Sequence, residues 1–87
     1  MARSKTHERR VAEQCVTEAR AMLGVGWSHV SDDVRWGLVS ARVLAVIVGQ
    51  HYIDDESATA EQKASIADYA LCLWREASAI RDAGWRA

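Results

Sequence analysis

The stretch Val43-Leu-Ala-Val-Ile-Val48 decides how this chain is read, because a short apolar run rich in β-branched residues fits two structures. Its length and composition suit a buried strand as well as a segment of buried helix. The neighbouring residues break the tie. Val34, Leu38, Ala41, Ala45 and Val48 recur at spacings of three and four, the rhythm of one helical face. The run therefore reads as the second half of a helix that starts after Ser31 and reaches about Tyr52. Ser31 serves as N-cap, and Asp32 and Asp33 occupy the first turn, where the helix dipole favours negative charge. A helix apolar all the way round is normally central and covered on more than one side.

Two further helices flank it. Upstream, Val11, Ala12, Cys15, Val16, Ala19, Met22 and Leu23 form one apolar stripe on a helix predicted over His7 to Leu23. Ser4 or Thr6 is its N-cap, and Gly24 is its left-handed stop. Gly24 to His29 then makes a tight connection. Downstream, Thr59 and Gln62 match the capping-box pattern and open a helix from Ala60 to about Ala83. Ala60, Ala64, Ala67, Leu71 and Trp74 mark one apolar row on it, widened by Ile66, Ala70, Leu73, Ala77 and Ile80. Gly84 at C′ and Trp85 at C″, packed on Ile80, predict a Schellman ending. The fold expected is all-α: a small three-helix up-down-up bundle over residues 1–87 as a single domain. It is open to completion by dimerisation through the second helix, and residues 1–6 form a flexible basic arm.

Composition agrees. The 87 residues are 49% hydrophobic and 26% charged, which argues for a folded chain with one modest core. The absence of proline favours long helices. Cys15 and Cys72 lie far apart without a CxxC spacing, which predicts two free thiols in a reducing, cytoplasmic compartment. The run 43–48 is much too short to span a bilayer. The excess of arginine over lysine, with abundant alanine and valine, suggests a GC-rich bacterial or phage genome.

No pattern in the chain compels an enzyme, and no cofactor or metal is expected. His51, Asp54, Asp55 and Glu56 are the densest polar cluster, the basis of a distant metal-dependent hydrolase reading. Consecutive loop acids point different ways, whereas a helical metal site converges carboxylates from facing helices. Cys72 falls on the polar face of the third helix with no histidine placed beside it, and Cys15 reads as a packed core thiol. Gly24-Val-Gly26 lacks the strand that a phosphate loop needs.

Arg3, Lys5, Arg9 and Arg10 form a basic N-terminal arm, the basis of an alternative reading as a small nucleic-acid-associated regulator. Net charge of −1 and the outward acids Glu61, Asp68 and Glu76 speak against phosphate, so nucleic acid is not the expected partner. The leading expectation is a non-enzymatic helical interaction module, a regulator, adaptor or inhibitor that pairs with itself or docks on a host protein. Four tryptophans and no phenylalanine are more indole than so small a core readily hides, which nominates Trp27 and Trp36 for a partner. On the second helix, Arg35, Val39, Arg42, Val46 and Gly49 alternate by four and three, the rhythm of a helix–helix seam. They are expected to face outward, while Leu38, Leu44, Ala45, Ile47 and Val48 pack the core.

Overall fold

A computed structural model describes residues 5–50 and 58–86. Among them it shows three helices and no strand: α1 (His7–Leu23), a 3₁₀ turn (Gly24–His29), α2 (Asp32–Gln50) and α3 (Ala60–Asp82). The run 43–48 is helical, so the flanking periodicity outweighs its β-branched composition.

The predicted starts and the Gly84 stop are in place; Gly24 ends α1 with a positive φ of +55° but with ψ −128°, outside the left-handed helical conformation expected of it, and the end expected for α2 near Tyr52 lies outside the described residues. The Thr6 hydroxyl accepts from the Arg9 N–H at 3.1 Å and opens α1. The Ser31 hydroxyl accepts from the Val34 N–H at 3.4 Å. At α3 both halves of the capping box form: the Gln62 N–H donates to Thr59 Oγ1 at 3.1 Å, and the Thr59 N–H donates to Gln62 Oε1 at 2.8 Å. The far end closes as a Schellman motif, with the Trp85 N–H on the Ile80 carbonyl at 2.8 Å and the Gly84 N–H on the Arg81 carbonyl at 3.0 Å. Gly84 takes φ +78°, which glycine adopts without strain; Trp85 follows at φ +68°, a backbone position unfavourable for a side-chain-bearing residue.

Helix directions follow from cross-chain contacts. Arg42 Nε lies 3.7 Å from Glu18 Oε2, so α2 runs back along α1. The His7 and Tyr69 rings are 6.3 Å apart and Arg20 reaches Trp85, so α3 runs parallel to α1. The bundle is up-down-up. Its core is Ala12, Cys15, Val16 and Ala19 of α1, Val39 and Val43 of α2, and Leu73, Ala77 and Ile80 of α3, closed by Trp85.

Three expectations about faces are corrected. Met22 is 59% exposed, because it lies where α1 gives way to the turn. Ala60, Ala64, Ala67 and Leu71 are exposed. The pairing of His7 with Tyr69 leaves Ala60–Asp68 running past the start of α1 by roughly 13 Å of helix. The third correction concerns α2, where Leu38 and Ile47 pack against the core as expected but the other assignments of inner and outer side are exchanged. Val39 is fully buried and Val46 half-buried, whereas Leu44, Ala45 and Val48 face outward. The arrangement is broad and thin, 44 × 35 × 17 Å.

Candidate functional site

The two arginines of α2 border its inner side. Each carries a long apolar stem and a charged tip, so it can border a core while its guanidinium reaches outward to a partner. Arg35 Nε donates to the Trp27 carbonyl at 2.8 Å, and Arg35 Nη1 to Asp32 Oδ1 at 3.0 Å. Arg42 lies along α1, with Nη2 3.4 Å from Met22 Sδ. Both arginines therefore mark the side that packs on α1 and the turn. Val39 and Val43 come with them into the core.

The nominated tryptophans are spent on one another. The Trp27 and Trp85 rings meet edge to face at 5.4 Å, and Trp36 lies 6.0 Å from Trp74 and 6.5 Å from Trp85. Arg20 and Arg35 stack on Trp27, and Arg81 sits 4.5 Å over Trp36. Trp85 is pinned at both ends: Nε1 donates to Asp32 Oδ1 at 3.1 Å, and its carbonyl accepts from Arg20 Nη2 at 2.6 Å. Four indoles fit in a small protein because they gather at the one end where α1, the turn, α2 and α3 converge.

The basic arm is partly neutralised. Lys5 Nζ lies 2.7 Å from Glu13 Oε2, and this hydrogen bond holds the Glu13 carboxyl below its ordinary range. Arg9 approaches Glu13 at 3.7 Å and Glu76 at 3.9 Å. Lys5 pairs with Glu13 and Thr6 caps α1; Arg10 is exposed, and Arg3 lies outside the described residues. So do His51, Asp54, Asp55 and Glu56. Among the described residues no group of metal-ligating side chains converges. Cys15 is a buried thiol whose burial pushes its pKa up, and Cys72 is exposed. Among the described residues no helix is long and apolar enough to cross a membrane.

The most distinctive surface is the outer side of α2. Val34, Gly37, Ala41, Leu44, Ala45 and Val48 are exposed, and they share one face at spacings of three and four. Val34 is 46% exposed, Leu44 55% and Val48 54%. From Trp36 to Gln50 the only charged residue is Arg42, which is engaged with α1. A surface helix ordinarily carries charge opposite its core face; after Asp33 in its first turn, α2 carries none there. The reading of 43–48 as apolar all round already held this signal, but the two arginines drew attention to the wrong side. Gly49 belongs at the edge of this outer face; Arg35, Val39, Arg42, Val46 and Trp36 belong to the inner one. Comparison with models of protein families, with curated proteins and with solved structures found no match for this chain.

Proposed function

We propose that this chain is a helical interaction module rather than an enzyme, and that it docks another protein helix on the outer face of α2. One observation carries the reading: α2 is apolar on both sides, and α1 and α3 cover only one of them. Scattered apolar side chains are ordinary on a protein surface. Here they are aligned along a helix, uninterrupted by charge, and such a patch marks an interaction site. A module of this kind acts as a regulator, adaptor or inhibitor, and its two free thiols suit the cytoplasm.

A photo-crosslinking amino acid at position 44, introduced in cells that make the protein, tests this directly. A discrete covalent adduct is expected at position 44, with none from exposed position 79 on α3. No adduct at position 44 would overturn the reading.

A further inference from the structure

We infer that the cleft between α1 and α2 binds a small anionic amphiphile, a medium-chain carboxylate whose tail lies on Cys15 and whose head pairs with Arg10. The site is separate from the outer face of α2, because Val46 lines it from the inner side.

The size of the cleft selects the class of ligand. Its volume is about 290 Å³, near the lower end of small-molecule sites at roughly 300 Å³. A protein helix, about 10–12 Å across with its side chains, is too wide to enter. An apolar cavity of about 150 Å³ accepts benzene, so by proportion this one holds roughly twelve non-hydrogen atoms. Decanoate matches that count.

The wall selects an apolar tail. Val11 and Val46 are half-buried against the core, and Cys15 between them is only 1% exposed. Val11 and Cys15 are one helical turn apart, so their side chains form a continuous strip. Burial pushes the Cys15 thiol up, which keeps this strip uncharged. An ordered water needs about two to four polar partners, which these three side chains do not offer. Hydrocarbon covers such a surface better than water does.

The rim selects the head. At one end Gln14 Nε2 donates to Glu18 Oε1 at 3.1 Å, and Glu18 Oε2 lies 3.7 Å from Arg42 Nε. Those groups satisfy one another. At the other end, roughly 12 Å back along α1, exposed Arg10 has no partner among the described residues. Its neighbour Arg9 is held by Glu13 and Glu76, and His7 lies against the Tyr69 ring. The uncompensated charge of the lining is therefore positive. A guanidinium presents paired N–H donors that match the two oxygens of a carboxylate.

The test titrates the nitrogen-labelled full chain with decanoate below its micellar range and follows the backbone amide shifts. Saturable shifts confined to residues 7–18 and the surroundings of Val46 are expected. Uncharged decanol should bind roughly tenfold more weakly, the worth of a hydrogen bond to a charged group, and decylammonium more weakly still. Arg10→Gln, a surface change that leaves the fold intact, should bring decanoate down to the affinity of decanol. Val46→Phe fills the cleft and should abolish binding of both while the helical circular dichroism persists. No saturable shift at millimolar decanoate overturns the site. Equal binding of decanol and decanoate, or decanoate binding unchanged by Arg10→Gln, overturns the pairing with Arg10. Shifts centred on Leu44 and Val48, or binding that survives in folded Val46→Phe, put the amphiphile elsewhere and overturn the cleft.

Discussion

The two sides of α2 are built from nearly the same kinds of residue and have opposite fates. The inner side, Val39 and Val43 with half-buried Trp36 and Val46, is closed over by α1 and α3. The outer side, Val34, Ala41, Leu44, Ala45 and Val48, remains exposed. Hydrophobicity does not distinguish them. What distinguishes them is the company each keeps: the inner side is bordered by Arg35 and Arg42, whose tips reach the Trp27 carbonyl and α1, while the outer side has only small and aliphatic neighbours. An arginine beside an apolar stripe is thus no mark of solvent when an acceptor waits on the next element. A helix side without charge is no mark of the core.

Six substitutions would break or sharpen this contrast. The largest effect is expected for Val39→Asp, which buries an unpaired charge among α1 and α3. A cost of roughly 3–5 kcal/mol, comparable with the whole stability of a small domain, should abolish the cooperative thermal transition. Val48→Asp should leave the circular dichroism of the protomer intact. If both unfold alike, α2 has no open side.

The same contrast exists within α3 on a smaller scale. Leu73 is fully buried and Leu71 is 60% exposed. Leu73→Ala should cost about 2–5 kcal/mol in urea denaturation, through lost burial and the cavity left behind. Leu71→Ala should stay within about 0.5 kcal/mol.

Gly37 tests the outer side of α2 from the opposite direction. Gly37→Ala should stabilise the protomer by roughly 0.5–1 kcal/mol, since its Cβ meets nothing and helix propensity improves. Smallest of all should be Arg42→Met. The Arg42 to Glu18 pair is partly exposed and long at 3.7 Å, and the buried Arg42 Nε has no hydrogen-bond partner. Exposed pairs are worth about 0–1 kcal/mol, so methionine at position 42 should shift the urea midpoint only slightly. A large loss would make the arginine a pillar of the inner side rather than its border.

Local signals were legible to the residue. Thr6, the Thr59–Gln62 box and the Gly84–Trp85 ending are caps whose chemistry acts within a few residues, so spacing alone locates them. The stripe of α1 was equally plain, because Ala12, Cys15, Val16 and Ala19 have polar residues on their far side. The row Ala60, Ala64, Ala67 and Leu71 was misleading for a different reason. Whether Ala60, Ala64 and Ala67 are covered depends on how far α1 extends beside them, a matter of helix register rather than of composition, whereas Leu71 lies alongside α1 and is still 60% exposed.

The sequence by itself determined the three helices, their starts and stops, and the two free thiols, since hydrogen bonds between near neighbours and the helical period carry that information. Only the tertiary structure decided which side of α2 faces inward, because both sides offer similar apolar surface. The inner side packs on other elements, as Arg35 on the Trp27 carbonyl, Arg42 beside Glu18 and Trp85 folded back on Asp32 and Arg20 record. That packing puts Val39 and Val43 in the core and leaves Val34, Leu44 and Val48 on the surface.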